Sequence, residues 1–115
     1  LQAAAKGDPT DADVLRKVGE AALLQARFRG AAGQDAGASF AHAEATYKKF
    51  VALGEKDPRG WAGLAEVYQR RAAWTRAHGR AAEADVQAGR AAAERALSAD
   101  PTLVQALRAR DSLGG

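Results

Sequence analysis

Residues 57–68 read DPRGWAGLAEVY and contain the signals that decide the fold. Asp57 followed by Pro58 is typical of a helix start, because an aspartate N-cap accepts from free backbone amides and proline gives up only an amide that would be unpaired. Trp61, Leu64 and Tyr68 follow at spacings of three and four residues, which place them on one helix face. The stretch therefore predicts an amphipathic helix with a defined first residue.

The pattern of this helix occurs twice in the chain. A shift of 46 residues aligns a set of apolar and glycine positions: Leu15 with Trp61, Val18 with Leu64, Phe28 with Trp74, Gly33 with Gly79, Phe40 with Val86 and Val51 with Leu97. Asp-Pro pairs at residues 8–9, 57–58 and 100–101 punctuate the chain in the same way. Self-similarity at a fixed period indicates a helical repeat architecture. We therefore expect an all-α fold of stacked antiparallel helical hairpins, which is a fragment of an α-solenoid.

Glycine residues and the Asp-Pro pairs delimit the predicted helices. We expect helices over residues 11–32, 39–53, 58–78 and 81–99, and a further helix that starts after Asp100. The chain is interpreted as a single repeat domain, in which residues 1–9 are the end of a preceding helix, 10–57 the first repeat, 58–100 the second, and 101–115 the first helix of a further repeat or a capping helix. Both ends indicate a fragment of a longer array in a larger protein.

Alanine is the commonest residue, and few large apolar side chains are available to form a core. The large apolar side chains recur with helical periodicity, so they are predicted to be buried. The predicted core is Leu15, Val18, Phe28, Phe40, Tyr47, Val51, Trp61, Leu64, Tyr68, Trp74, Val86, Leu97, Val104 and Leu107. Across the two hairpin loops we expect Phe28 to pack against Phe40, and Trp74 to pack against Val86.

The second repeat resembles the tetratricopeptide repeat, whose first helix has the pattern W-x2-L-G-x2-Y. The matching residues are Trp61, Leu64, Ala65 and Tyr68, followed by Gly89, Ala93, Ala96 and Pro101. The first repeat matches the family with Leu15, Val18, Gly19, Ala22, Ala43, Tyr47, Phe50 and Pro58. Repeats of the family have about 34 residues, so the resemblance implies a variant with lengthened helices.

The sequence pattern of residues 89–107, GRAAAERALSADPTLVQAL, resembles the repeats that follow serine/threonine kinase domains in some GC-rich bacteria. The resemblance implies a protein–protein interaction or scaffold module from the docking or regulatory region of a signalling kinase. No glycine-rich loop, HRD or DFG motif of a kinase occurs in the chain itself. The implied partner is a protein or a peptide.

The family resemblance also implies a partner-binding groove, lined by the first helix of each repeat. The positions that correspond to it are Arg16, Lys17, Glu20, Leu23, Arg59, Glu66, Gln69, Arg70 and Gln105. Family members that hold a C-terminal carboxylate use paired Lys and Asn residues. This chain has no Asn, so a clamp of that kind is not expected. Self-association through the exposed repeat ends is a further expectation.

No catalytic, cofactor or metal site is predicted. His42 and His78 lie in different repeats and outside any metal-binding motif, and no Cys is present. Ser39 and Ser112 have no neighbouring base, so the chain is predicted to be non-catalytic. No apolar run is long enough to span a membrane and no signal peptide is evident. We therefore expect a cytoplasmic protein that has no membrane partner.

The charge pattern bears on nucleic acid as a partner. The 17 basic and 14 acidic residues give a net charge of +3 and are scattered along the chain. A stripe formed by Arg70, Arg71, Arg76 and Arg80 would bind nucleic acid, but these residues do not share one helix face. Nucleic acid binding is therefore the weaker alternative, and a structural spacer without a ligand is the other.

Overall fold

The computed structural model describes residues 11–114, which form five helices and no strand. In chain order these are α1 (Ala12–Ala31), α2 (Gly37–Leu53), α3 (Pro58–Ala77), α4 (Glu83–Ala99) and α5 (Val104–Ser112). The all-helical class predicted from the sequence is confirmed for this part of the chain. The prediction that residues 1–9 end a preceding helix, with a boundary at Asp8-Pro9, lies outside the described residues.

Aspartate N-caps start the two longest helices. Asp11 Oδ1 accepts from the Asp13 amide at 2.9 Å, and α1 begins directly after Asp11. At α3, Asp57 Oδ1 accepts from the Arg59 amide at 3.0 Å, and Pro58 occupies the first helical position. Both starts agree with the sequence, since each side chain satisfies an amide that the helix itself leaves unpaired.

The third Asp-Pro pair does not start a helix. Asp100 Oδ1 accepts from the Thr102 amide at 3.0 Å and from the Thr102 hydroxyl at 2.8 Å, and the Leu103 amide donates to the Asp100 carbonyl. These bonds hold a turn, and α5 begins only at Val104. The helix predicted after Asp100 is present, but Asp100 and Pro101 are not its N-cap and first residue, because the backbone first closes a turn at Leu103.

Each helical hairpin turns at a glycine with positive φ. Gly33 (φ 76°) follows α1, and Gly79 (φ 74°) follows α3. After α1, the Gln34 amide donates back to the Arg29 carbonyl at 2.8 Å, and the equivalent bond closes the turn after α3 at 3.1 Å. Glycine adopts this left-handed conformation without steric cost. The matching glycines therefore produce matching turns.

The helix α3 lies at the centre of the molecule and contacts all four of the other helices. One antiparallel hairpin is formed by α1 and α2, and another by α3 and α4. The helix α2 packs against α3 as well as α1, and α5 packs against both α3 and α4. In addition α1 lies beside α3, and α3 beside α5, so the first helices of successive units are neighbours.

The closest packing surrounds the ring of Tyr47, which is 2% exposed. The ring lies between Gly19 of α1 and Gly63 of α3. A Cβ atom at Gly19 would come within 2.8 Å of one ring edge, and a Cβ atom at Gly63 would come still closer to the opposite edge. The two glycines therefore let α1 and α3 approach the same aromatic ring.

Most of the predicted core residues are buried or lie at the margin of the core. The buried ones are Leu15, Phe40, Tyr47, Val51, Leu64 and Tyr68, and the partly exposed ones are Trp61, Trp74, Val86, Leu97 and Leu107. Phe50 and Val67 are the largest fully buried side chains. Much of the remaining core consists of alanine, which allows the helices to approach one another closely.

Three residues of the predicted core are exposed, and the prediction is wrong for them. Val18 is 37% exposed, Phe28 72% and Val104 54%. Phe28 lies on a part of α1 that the described residues leave mostly uncovered, and Val18 is covered more but not buried. Their counterparts in the second repeat, Leu64 and Trp74, pack into the core because α2 covers the corresponding face of α3.

The packing across the hairpin loops also differs from the prediction. Phe40 packs against Trp74, with 5.8 Å between the ring centroids, so its aromatic partner comes from α3 and not from α1. Val86 packs against a small cluster that includes Ala72, Ala82 and Leu113. Both differences have one cause: the second helix of each hairpin packs against the helix that follows it.

Candidate partner-binding surface

One side of the molecule is formed by α1, α3 and α5. We call it the first-helix surface and define it by Arg27, Glu66, Gln69, Arg70, Gln105 and Arg108. It contains two crevices, one of about 470 Å³ between α1 and α3 and one of about 320 Å³ between α3 and α5. Gln69 and Arg70 line both of them. The surface is therefore continuous across the three helices.

Glu66 is the central acceptor of the first-helix surface. One of its oxygens accepts from Gln105 Nε2 at 2.7 Å, and the other accepts from Arg70 Nε at 3.3 Å. Gln69 Nε2 donates to Ser112 Oγ at 3.4 Å, which is a second bond between α3 and α5. Four residues that the sequence predicts to line a groove are thus placed side by side.

Three arginines line the crevices, one from each helix. Arg27 of α1 and Arg70 of α3 line the first crevice, and Arg70 and Arg108 of α5 line the second. Among the residues that the structure describes, Glu66 is the one acidic residue in the lining of either crevice. The surface therefore has a positive excess.

Arg27 and Arg108 are absent from the predicted groove. Neither aligns with an arginine in the other repeat, so the repeat pattern gives no signal for them. A different signal exists for Arg27, which follows Arg16 and Glu20 at spacings of eleven and seven residues on one helix face. Extending that face along α1 would have included it.

The predicted groove residues at the start of α1 pair with acidic side chains of their own helix. Arg16 contacts Asp13 at 2.8 Å and Glu20 at 3.2 Å, and Lys17 contacts Asp13 at 3.3 Å. The hydrogen bond from Arg16 lowers the pKa of the Asp13 carboxyl below its ordinary value. The charges of this cluster are thus largely compensated within α1.

Arg59 is compensated in the same way. Its guanidinium contacts Asp57 at 2.7 Å, lowering the pKa of that carboxyl, and lies 5.9 Å from the centroid of the Phe50 ring. Arg59 therefore adds little net charge to the surface.

Leu23 is 5% exposed and belongs to the core, so its assignment to a partner-binding groove is wrong. It follows Gly19 by four residues and precedes Ala26 by three. All three residues are buried, so they share the face of α1 that packs into the protein.

Arg71, a member of the alternative arginine stripe, is partly buried and forms ion pairs with two other helices. Its guanidinium pairs with Asp85 of α4 at 2.9 Å and with Glu44 of α2 at 3.0 Å, and the Tyr68 hydroxyl donates to Glu44 at 2.8 Å. Partial burial raises the pKa of Glu44, but hydrogen bonds from Tyr68 and Lys48 and the charge of Arg71 keep it below its ordinary value. This network joins three helices and compensates the charge of Arg71 with two carboxylates.

The side chains considered for catalysis make local contacts. Ser39 Oγ donates to Gln25 Oε1 at 3.3 Å, and His78 Nδ1 lies 2.8 Å from the Trp74 carbonyl oxygen. Across residues 11–114, no three His, Asp or Glu side chains are arranged to hold a metal ion. No helix in that range is long and apolar enough to cross a membrane. The first-helix surface holds four of the residues that the sequence predicts to line a partner-binding groove.

Comparison with protein-family models, curated proteins and solved structures finds no match for this chain. The first-helix surface is therefore interpreted from its own geometry. Three arginines line two crevices, and the Glu66 carboxylate between them accepts hydrogen bonds from Arg70 and Gln105.

Proposed function

We propose that the chain is a tetratricopeptide-like repeat module with lengthened helices, which binds a protein or peptide partner and catalyses no reaction. The support is the pair of hairpins with matching glycine turns and the side-by-side placement of α1, α3 and α5. The observation that carries the proposal is the pair of arginine-lined crevices between these helices. Stacked helical hairpins commonly use such extended surfaces for binding.

The arginine row favours an acidic, extended partner segment. Neighbouring packed helices lie about 8–10 Å apart, so a segment that crosses from α1 to α5 spans on the order of 20 Å, or about six extended residues. Each exposed ion pair contributes about 0.2–1 kcal/mol. The row therefore provides orientation and selectivity, while apolar contacts in the crevices provide much of the affinity.

We place the module in the docking or regulatory region of a bacterial signalling kinase. The support is the sequence pattern of residues 89–107, which resembles the repeats that follow such kinase domains. In this role the module holds a substrate or a regulator close to the kinase.

A displayed peptide library tests the proposal. Peptides are selected on the wild-type protein and then measured against a variant with Arg27, Arg70 and Arg108 changed to Glu. The matched control changes three exposed basic residues outside the surface, Lys49, Lys56 and Arg80, to Glu, with the same change in net charge. Circular dichroism establishes that both variants are folded.

We expect the selected peptides to be acidic and to bind the control variant nearly as well as the wild type. The variant of the first-helix surface is expected to lose at least about tenfold in affinity, since three favourable pairs become repulsive. Equal losses in both variants would attribute binding to net charge alone. A failure to select any peptide would favour the structural spacer.

A further inference from the structure

A second open groove lies on the other side of α3, between α2 and α4. Both helices pack against α3, but within residues 11–114 no Cα atom of one lies within 8 Å of a Cα atom of the other. The space between them has a volume of about 590 Å³, and we call it the α2–α4 groove. Its floor is formed by Trp61, Leu64 and Tyr68 of α3.

The groove is open because the α4 wall is built from small residues. Ala88, Ala91 and Ala92 face the space, whereas the α2 wall presents Lys48 and Val51. The volume falls in the range of about 300–1,000 Å³ that is usual for small-molecule sites. An apolar floor with a few polar groups at the rim is also typical of such sites.

The floor is held in place by a specific hydrogen bond. Trp61 Nε1 donates to the Glu55 carbonyl at 2.8 Å, which ties the indole to the loop between α2 and α3. Since its one donor is satisfied, the indole presents an apolar ring to the groove.

Arg95 lies at the rim, and its charge is not compensated by a carboxylate. Its guanidinium carbon is 4.3 Å from the centroid of the Trp61 ring. Across the part of the chain that the structure describes, no acidic side chain forms an ion pair with it. Lys48 on the opposite wall is 60% exposed and pairs with Glu44 at 3.1 Å. Glu94 also lines the groove, and Arg95 is the one cation of the described lining that forms no ion pair with a carboxylate.

We propose that the α2–α4 groove binds a small amphipathic organic anion, with an apolar body on the aromatic floor and a carboxylate on Arg95. A guanidinium can bind a carboxylate through two parallel hydrogen bonds. The groove, with about 590 Å³, has room for a bicyclic aromatic ring. This site shares no residue with the first-helix surface and does not depend on the function proposed for that surface.

The two tryptophan indole N–H signals in a two-dimensional ¹⁵N NMR spectrum provide the test. The Trp74→Phe variant assigns them. The probes are 2-naphthoate and the neutral 2-naphthalenemethanol, which have the same aromatic body. We expect saturable movement of the Trp61 signal, little movement of the Trp74 signal, and about tenfold tighter binding of the carboxylate, as one charge-assisted pair provides.

Three variants complete the design. Arg95→Gln should weaken 2-naphthoate about tenfold and leave the alcohol unchanged. Ala91→Phe should fill the groove and abolish the binding of both probes, whereas Ala45→Phe, at an exposed alanine of α2 outside the groove, should retain it. The proposal is overturned by an unmoved Trp61 signal, by equal affinities for the two probes, or by binding that survives Ala91→Phe.

Discussion

Gly63 illustrates how a single residue sets the distance between helices. It has no counterpart in the repeat pattern, because the shift of 46 residues aligns it with Lys17. The need for glycine comes from Tyr47, which is on another helix and is fixed between Gly63 and Gly19. A signal that arises from a contact between distant residues cannot be read from the spacing within one helix.

We predict that Gly63→Ala destabilises the protein, although alanine is the better helix former by about 1 kcal/mol. The added Cβ overlaps the buried Tyr47 ring, and overpacking of this kind costs about 1–3 kcal/mol. Urea unfolding followed by circular dichroism measures the loss. Gly54→Ala is the control, because a Cβ atom there meets no other group. Equal effects of the two substitutions would contradict the role assigned to Tyr47.

Glu44 provides a prediction about pH. Its folded pKa lies below the ordinary value of 4.5, so the stability it contributes is present above that value and is lost as pH falls through the folded pKa. We expect Glu44→Gln to lower the free energy of unfolding by about 1–3 kcal/mol at pH 7, because partly buried Arg71 loses a partner. The difference from wild type should shrink as the solution is acidified.

Urea titrations at a series of pH values test this behaviour, with Glu55→Gln as the matched control. The Glu55 side chain is exposed and forms no ion pair among the described residues. A stability difference for Glu44→Gln that is the same at pH 7 and pH 3 would refute the prediction.

Among the elements, α5 depends most on contacts from outside itself. It has nine residues, and the side chain of Leu103 at its N-cap cannot accept a hydrogen bond. At its C-terminal end, Arg90 Nη2 of α4 donates to the carbonyls of Leu113 and Gly114 at 2.8 Å and 2.9 Å. A helix this short is marginal in isolation, so α4 and α3 provide its stability.

We predict that Arg90→Ala releases the end of α5 while the rest of the protein stays folded. Two charge-assisted bonds to the carbonyls beyond its last turn are lost. Amide hydrogen exchange in residues 104–113 should accelerate about tenfold. Arg110→Ala is the control, since that side chain is exposed and its single ion pair, with Asp111, is long at 3.7 Å. Similar exchange in both variants would contradict the capping role.

Local sequence signals predict the elements well where a side chain caps its own helix. The start of α3 at Pro58 and the turns at Gly33 and Gly79 were predictable, because the residues involved are neighbours in sequence. The start of α5 was not predictable, because an aspartate at this position can either cap a helix or hold a turn, and Asp100 holds a turn.

At the scale of the whole molecule, two equivalent positions have different surroundings. Trp74 packs against Phe40, whereas its counterpart Phe28 is 72% exposed. The repeat pattern predicts the same environment for both, and burial depends on whether another helix covers the site. The first-helix surface was predictable in part. The family resemblance proposes Glu66, Arg70 and Gln105 for it, but it gives no signal that Glu66 accepts hydrogen bonds from the other two.

We predict that Trp74→Ala and Phe28→Ala differ sharply in their effect on stability. Trp74→Ala should lower the free energy of unfolding by about 2–3 kcal/mol, somewhat less than for a fully buried aromatic residue. Phe28→Ala should change it by about 0.5 kcal/mol or less, as is usual for an exposed side chain. Guanidinium chloride unfolding of the two variants gives both values. A large loss for Phe28→Ala would show that its face of α1 is covered in solution.

The central position of α3 has a consequence for how the protein unfolds. In a linear repeat array each unit touches only its neighbours, and the ends can unravel while the middle persists. Here, within residues 11–114, α5 likewise makes no contact with the first hairpin, but α1, α2, α4 and α5 all pack against α3. Loss of α3 removes support from both hairpins and from α5 together. We therefore expect the two hairpins to unfold together when α3 is lost, whereas the end of α5 can be released separately.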